Sequence, residues 1–205
     1  MPLSVRDLTV SRGGAIILQG VNFTLASGDA LIVRGRNGIG KTSLLRTICG
    51  LQPAWAGEIS GCEDRIAFAG HADGVKLTLT VHENLTFWSQ IFGCRRTQFA
   101  LEAFGLENLR NRLAGTLSAG QRKRVALARL LLTERSIWVL DEPTGNLDQD
   151  TVKTLLSIIK THKRGGGSLL VATHDQLEWE AETLQLDAFR PKKTEIFPIF
   201  ASGAK

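Results

Sequence analysis

The sequence has few of the features that mark secreted or membrane-spanning proteins. Its 205 residues contain three cysteines, Cys49, Cys62 and Cys94, and none of them forms a CxxC pair. An odd number of scattered cysteines argues against a disulfide framework or a zinc site, and it favours a reducing compartment. No segment approaches the roughly 18 consecutive apolar residues of a membrane helix. Residues 1–7 lack a basic stretch followed by an apolar run, so we expect no signal peptide.

Charge of either sign is not in large excess. The chain carries 25 Lys and Arg against 20 Asp and Glu, for a net charge of +5. A charge of this size is compatible with nucleic acid, an anionic membrane surface or a phosphorylated ligand, and it does not choose among them. Hydrophobic residues make up 43% of the chain, which is enough for a real core and excludes disorder. The length predicts one large domain rather than two catalytic ones.

Short apolar runs alternate with helical patterns along most of the chain. The runs are Ala30–Val33, Ile66–Ala69, Ser136–Leu140 and Ser168–Ala172, and the helical patterns cover residues 41–49, 81–113, 121–132 and 151–163. Strands that are apolar throughout are buried on both faces, so the pattern predicts an α/β fold with a parallel sheet and flanking helices. Alternation over residues 3–10 and 21–25 predicts two half-buried strands before it, and the stretch from Leu184 to Phe200 also has a β-like composition.

A glycine-rich loop follows the first of these buried strands and precedes a helical pattern. Its residues fit GxxxxGK[ST] and are Gly35, Arg36, Asn37, Gly38, Ile39, Gly40, Lys41 and Thr42, with Ser43 next. Glycines let successive N–H groups turn inward around phosphates, and the following helix presents its positive end to the same anion. Lys41 would reach the β- and γ-phosphates, and the Thr42 hydroxyl would ligate Mg²⁺. We therefore predict that a nucleoside triphosphate binds here.

An acidic pair ends the buried strand 136–140. Asp141 and Glu142 follow Leu140 directly, and ligands of open α/β sheets lie outside the carboxyl ends of the strands. Asp141 is predicted to hold Mg²⁺ with Thr42, and Glu142 is predicted to activate the attacking water as a general base.

The segment Leu117-Ser118-Ala119-Gly120-Gln121 precedes the predicted helix 121–132. With the phosphate loop and the acidic pair, it resembles the ATP-binding cassette (ABC) family, whose signature is LSGGQ; Ala119 replaces a glycine. A small loop at a helix N-terminus offers the Ser118 hydroxyl and backbone N–H groups to a phosphate. In this family the signature serves the ATP of the opposite subunit. The resemblance therefore implies a head-to-tail homodimer that encloses two ATP molecules, with Ser118, Gly120 and Gln121 on the ATP of the twin.

The resemblance extends over nearly the whole chain. Asn146-Leu147-Asp148 resembles the D-loop, which contacts the facing subunit, and His174 matches the switch histidine that contacts the γ-phosphate. The resemblance implies one cassette over residues 1–205, with a RecA-like core at about 1–70 and 133–205, a helical lobe at about 72–132 and a small antiparallel β part.

The sequence departs from the family pattern at two places. The glutamine loop would fall near residues 69–73, which contain no glutamine, so His71 or Ala72 occupies its place. That glutamine normally links Mg²⁺ to the membrane partner, and its absence puts coupling in doubt. The family's adenine-stacking tyrosine is also missing, and Arg12 lies at that point of the sequence. Its guanidinium plane would stack on the base, or it is only surface charge.

The short spacing from Lys41 to Ser118, the SAGQ signature and the Gly70-His71 pair resemble one branch of the family, the ATPases of c-type cytochrome biogenesis. This implies a peripheral protein on the cytoplasmic face of a bacterial inner membrane, with integral permease subunits as partners, for haem export or release of a haem-loaded chaperone. No CxxCH haem motif is present. Nucleic acid is not an expected partner.

Three other functions are compared with cytochrome c biogenesis, and the sequence disfavours two of them. The chain resembles ATPases of lipoprotein or small-solute transporters as well, because the membrane partner selects the substrate. Translation-factor or DNA-repair ATPases of the family usually need two cassettes or a long coiled-coil insertion, for which the length leaves no room. A module that only senses ATP is disfavoured by Lys41, Asp141, Glu142 and His174.

Overall fold

The computed structural model describes residues 1–70, 73–175 and 181–191. A five-stranded parallel sheet forms its central layer, in the order β5-β6-β7-β3-β8. These strands are β3 (Ala30–Arg34), β5 (Ile66–Ala69), β6 (Ile137–Asp141), β7 (Ser168–Ala172) and β8 (Glu182–Gln185). All five residues of β6 and of β7 are buried, as expected of strands covered on both faces.

A smaller antiparallel sheet pairs in the order β2-β1-β4; β1 and β2 precede the phosphate loop in sequence, and β4 follows it. It contains β1 (Leu3–Arg12), β2 (Ala15–Leu25) and β4 (Ala56–Ser60). The helices are α1 (Lys41–Ile48), α2 (Val81–Ile91), α3 (Thr97–Ala103), α4 (Ala119–Ala128) and α5 (Gln149–Arg164). Short 3₁₀ helices cover Glu107–Leu109, Ala114–Thr116, Arg129–Leu132 and Leu186–Phe189. The predicted α/β fold with a small antiparallel part is confirmed.

Two hydrophobic clusters cover the faces of the parallel sheet. One joins the antiparallel sheet and α1 to the central strands, through residues such as Leu8, Leu44 and Val139. The other joins the opposite face to α5 and to the helices between residues 81 and 132, through residues such as Leu85, Leu127 and Leu140, with Leu155 from α5. The division into a RecA-like core and a helical lobe at the predicted boundaries stays a prediction.

Several boundaries differ from those that the sequence predicted. Helix α4 begins at Ala119 rather than Gln121, because Ser118 is its N-cap and accepts a hydrogen bond from the Gln121 N–H. Its predicted last turn, Arg129–Leu132, is a 3₁₀ helix. Strand β8 begins at Glu182, before the predicted Leu184, and the chain then turns into a 3₁₀ helix. The rest of the stretch predicted to be β-like, beyond residue 191, lies outside the described residues.

His162 of α5 packs against the parallel sheet. Its ring stacks on Trp138 of β6, with centroids 3.9 Å apart and planes within 10°. Burial lowers the pKa of His162 below its usual value. This histidine is therefore part of the α5–sheet contact.

No helix within the described residues is long and apolar enough to cross a membrane.

Candidate active site

The candidate site lies at the carboxyl edge of the parallel sheet, where the loops after β3, β6 and β7 meet. An open cavity of about 240 Å³ is found there. Its lining brings together most of the phosphate loop, the acidic pair and two further predicted residues. These residues are Arg12, Asn37, Gly38, Gly40, Lys41, Thr42, Ser43, Asp141, Glu142 and His174. Most of the predicted site residues therefore share one cavity, as expected for a ligand site of an open α/β sheet.

The phosphate loop folds tightly over the start of α1. Gly40 has a φ of 121°, a value that side-chain-bearing residues rarely adopt, and a Cβ there would lie 2.9 Å from Ile17 Cδ1. The Lys41 side chain is buried, and its ammonium donates to the Gly35 carbonyl at 2.9 Å. The loop thus holds Lys41 beside the cavity, and phosphate oxygens would replace these carbonyl contacts with stronger, charge-assisted ones.

The two predicted metal ligands meet in the cavity. Thr42 Oγ1 donates a hydrogen bond to Asp141 Oδ2 at 2.7 Å. A hydroxyl and a carboxylate oxygen are donors that Mg²⁺ prefers, alongside waters and phosphate oxygens. Although these residues are 99 positions apart in sequence, the fold places them side by side, so the donor set fits Mg²⁺.

Glu142 and His174 form a contact pair that lines the same cavity. His174 Nε2 lies 2.9 Å from Glu142 Oε1, and the His174 backbone N–H donates to Oε2 at 3.4 Å. Glu142 has a φ of 47°, an uncommon value for a residue with a side chain. Strained backbone of this kind is often found at functional sites, and here it accompanies a carboxylate that faces the cavity.

Two residues outside the sequence motifs, Arg34 and Thr144, hold residues 174–175 in place. Arg34, at the end of β3, donates to the carbonyls of His174 and Asp175 at 3.3 and 2.8 Å. Thr144 donates its hydroxyl to the Asp175 carboxylate. The one available signal was a charged residue ending an otherwise apolar strand, and that signal alone does not reveal its partner.

Three residues of the phosphate-loop motif do not line the cavity. Gly35 and Ile39 pack on each other, since a Cβ on Gly35 would lie 3.0 Å from Ile39 Cγ2. Arg36 points away and pairs with Asp187 at 3.4 Å. Gly35 and Ile39 shape the loop, and none of the three residues lines the cavity. Arg12, in contrast, is exposed and lines the cavity.

The signature residues lie in a different place. Ser118, Gly120 and Gln121 line a separate cavity of about 270 Å³ together with Asn146-Leu147-Asp148. Ser118 Oγ accepts from the Gln121 N–H at 3.2 Å, and Gln121 Oε1 accepts from the Ser118 N–H at 2.9 Å. The Ser118 hydroxyl proton remains available to an incoming acceptor.

The signature packs directly on the segment that resembles the D-loop. A Cβ on Gly120 would lie only 2.5 Å from the Asn146 carbonyl oxygen. Asp148 caps α5 by accepting from the Thr151 N–H at 2.7 Å, and this hydrogen bond lowers the pKa of its carboxyl. Signature and D-loop segment therefore form one surface, which does not line the cavity of the phosphate loop.

His71 and Ala72, the predicted replacements for the loop glutamine, lie outside the described residues.

Comparison with known proteins supports the same reading. A family model described as ABC transporter matches residues 18–145. The cytochrome c biogenesis ATP-binding export protein CcmA of Ruegeria pomeroyi is 54% identical over 96% of this chain and 96% of its own length. The protein of the same name from Paracoccus denitrificans is 53% identical over 92% and 90%.

Solved structures agree in fold. An ABC transporter ATP-binding protein from Pyrococcus furiosus, 27% identical, superposes with a TM-score of 0.82 over 93% of this chain and 100% of that one. A dimeric ATP-binding cassette in a post-hydrolysis state, bound to ADP and phosphate, is 24% identical and covers 97% of this chain and 100% of its own, with a TM-score of 0.81.

Proposed function

Because the chain belongs to the ABC transporter family, and within it groups with the cytochrome c biogenesis ATP-binding export proteins, we propose that it is the ATP-hydrolysing subunit of a membrane complex for c-type cytochrome assembly. The observation that carries the proposal is 54% identity to such a protein over 96% of both chains. The names of these relatives also favour this role over a lipoprotein or small-solute transporter.

The cavity geometry suggests how the residues divide the work. Lys41 and the backbone of the phosphate loop bind the phosphates of ATP, and the signature surface of the twin subunit closes over them. Thr42 and Asp141, joined at 2.7 Å, would hold Mg²⁺, and the bound ion would supply positive charge against the phosphates. Glu142 accepts a proton from the attacking water. His174 orients the Glu142 carboxylate through the 2.9 Å contact and faces the γ-phosphate.

The partners follow from the same reading. The signature residues line a different cavity from the phosphate loop, as they would if they served the ATP of a second copy, so the working unit is a homodimer. The energy of hydrolysis is passed to separate integral permease subunits of the cytochrome c assembly system, on the cytoplasmic face of the bacterial inner membrane, where the cassette is peripheral. The work is export of haem or release of a haem-loaded chaperone.

Arg12 is proposed to take the place of the missing adenine-stacking tyrosine. Its exposed guanidinium lies at the cavity that would hold the nucleotide, and a planar cation stacks well on an aromatic base. We expect Arg12→Ala to weaken ATP binding about threefold to tenfold, as loss of a contact worth about 1 kcal/mol would. Titration with ATP and with inorganic triphosphate separates stacking on the base from contact with the phosphates, because stacking contributes only to the binding of ATP. Equal weakening for both ligands would assign Arg12 to the phosphates instead.

Deletion of the gene in the bacterium that encodes this chain tests the proposed function. We expect haem-stained gels of membranes and periplasm to lose their c-type cytochromes, and a plasmid copy of the wild-type chain to restore them. The Lys41→Ala variant, produced at the same level, is expected not to restore them, because it lacks the phosphate-binding ammonium. Normal holo-cytochromes in the deletion strain would contradict the assignment.

A further inference from the structure

The strand that leads into the phosphate loop ends in a charged residue. The first four residues of β3 are buried, and the fifth, Arg34, is half-buried and directly precedes Gly35 of the phosphate loop. Strand β3 pairs with β7 up to Val33, which lies opposite Ala172. Because parallel strands end at one edge of the sheet, the phosphate loop and the segment that carries His174 leave the sheet as neighbours. Arg34 is the last residue of β3 at that edge.

The Arg34 guanidinium connects the end of β3 to the segment after β7. Its Nη1 donates to the His174 carbonyl at 3.3 Å, and its Nη2 donates to the Asp175 carbonyl at 2.8 Å. A guanidinium presents its donors in a rigid planar fork, so it can hold two successive carbonyls in a fixed geometry. Hydrogen bonds from a charged donor are also stronger than those between neutral groups. Arg34 therefore fixes the backbone from which the His174 side chain starts.

The same segment is held from β6, the strand on the other side of β7. Thr144 follows the acidic pair at the end of β6 and donates its hydroxyl to the Asp175 carboxylate. The His174 N–H donates to Glu142 Oε2 at 3.4 Å. Among the described residues, every hydrogen bond of His174 and Asp175 involves a side chain. A segment that is held by side chains rather than by strand pairing is expected to shift when one of those side chains is lost.

We propose that Arg34 is a positioning residue for ATP hydrolysis, which holds the backbone of residues 174–175 so that the His174 ring stays against the Glu142 carboxylate. The contact that it maintains is the 2.9 Å approach of His174 Nε2 to Glu142 Oε1. The inference rests on the proposed function, in which Glu142 accepts a proton from the attacking water. Arg34 is not among the described residues that line the cavity of the phosphate loop. Its loss should therefore slow turnover without weakening the binding of ATP.

Substitutions of Arg34 are expected to separate turnover from binding. Arg34→Met keeps an unbranched side chain but removes the charge and every donor. We expect its turnover number to fall about tenfold to hundredfold, because displacement of a catalytic group by about 1 Å costs about 10²-fold in rate. The ATP dissociation constant should stay within about threefold of the wild-type value. Arg34→Lys retains a charged donor without the planar fork, so its turnover number should lie between those of the wild type and Arg34→Met.

Two other roles for Arg34 would give different results, and either result would overturn the inference. If its charge only attracted the phosphates, Arg34→Met would raise the ATP dissociation constant and Arg34→Lys would restore it in full. If Arg34 only stabilised the fold, Arg34→Met would reduce the fraction of molecules that bind ATP, and the turnover number per binding-competent molecule would not change.

A double-mutant cycle with His174→Ala tests whether Arg34 acts through the histidine. In the His174→Ala background, Arg34→Met should change the rate by less than about twofold, because no imidazole remains to be positioned. Single-turnover assays of the purified full chain, with protein in excess over radiolabelled ATP, measure the slow rates of this background. A larger further fall would show that Arg34 acts on something other than His174 and would overturn the inference.

Arg65→Met is the matched control for Arg34→Met. Arg65 directly precedes β5, at the opposite, amino edge of the parallel sheet, and its guanidinium also donates to two backbone carbonyls, those of Met1 and Gly61. The substitution removes the same kind of contact far from the cavity of the phosphate loop. Its turnover number should stay within about twofold of the wild-type value.

Thr144→Val tests the inference from the β6 side, and it serves if Arg34→Met does not fold. It keeps the shape of the side chain and removes the hydroxyl that holds Asp175. We expect the turnover number to fall about threefold to tenfold, the size of one lost hydrogen bond, with ATP binding unchanged. This fall should be absent in the His174→Ala background.

The outcomes separate the two proposals. A wild-type chain that does not hydrolyse ATP would overturn the proposed function and this inference with it. A wild-type chain that hydrolyses ATP, with Arg34→Met or Thr144→Val at the wild-type turnover number, would overturn the inference alone.

Discussion

Glu142→Gln is expected to stop ATP turnover while ATP binding remains. The amide keeps the size of the side chain and a hydrogen-bonding oxygen near His174 Nε2, which lies 2.9 Å from Glu142 Oε1 in the wild type, but it cannot accept a proton from water. Loss of a general base typically costs about 10²–10⁴-fold in rate, so phosphate release should fall to near background. The ATP dissociation constant should stay within about threefold, because Lys41, Thr42 and Asp141 are untouched.

Phosphate release in a coupled assay and nucleotide binding by fluorescence give the two quantities. Glu134→Gln is the matched control, since Glu134 also has a positive φ, of 51°, but does not line the cavity; its turnover should remain at the wild-type level. Turnover by Glu142→Gln at more than a tenth of the wild-type rate would remove Glu142 from the role of base.

Gly120→Ala is expected to cause a second large loss of ATP turnover. The added methyl group would lie 2.5 Å from the Asn146 carbonyl oxygen. Because this oxygen belongs to the backbone and cannot rotate away as a side chain could, the signature and the segment 146–148 must move apart. Displacement of catalytic groups by about 1 Å costs about 10²-fold in rate. We expect turnover to fall by that order, with binding of ATP to the monomer unchanged, because Gly120 does not line the cavity of the phosphate loop.

Ala119→Gly is the control for Gly120→Ala. It removes one methyl group from the neighbouring residue of the same loop, whereas Gly120→Ala adds one. Since it also produces the LSGGQ signature of the ABC family, its turnover should match the wild type. If Gly120→Ala retained turnover within twofold of the wild type, the tight contact with Asn146 would have no part in hydrolysis.

The phosphate loop was predictable because its constraint is local. Gly40 and Lys41 are adjacent to α1 in sequence, and their chemistry depends on the loop and on the helix start. The acidic pair was predictable for the same reason, since a buried apolar run ends directly at Asp141. The pairing of Thr42 with Asp141 follows from the rule that the strands of a parallel sheet end at one edge, although β7 lies between β3 and β6.

Contacts that arise from the packing of distant segments were not predictable in this way. Strand β4, Ala56–Ser60, is exposed over its first three residues and shows no alternation; its pairing with β1 makes it a strand. In the sequence, Lys123 is one of three consecutive basic residues, 122–124, a pattern typical of a solvent-exposed face, although the fold buries it. Arg34 ends an apolar strand, and its partners, His174 and Asp175, lie about 140 residues away. The sequence around Arg34 contains no pattern that indicates such a distant partner.

The mass of Glu142→Gln in the presence of MgATP tests most directly the claim that this chain is half of an ATPase. The chain alone has a mass of 22.3 kDa. Multi-angle light scattering should give twice that value with MgATP and the single-chain value with ATP and EDTA, because blocked hydrolysis keeps the two ATP molecules enclosed between phosphate loop and signature. A single-chain mass under both conditions, with ATP bound, would contradict the account.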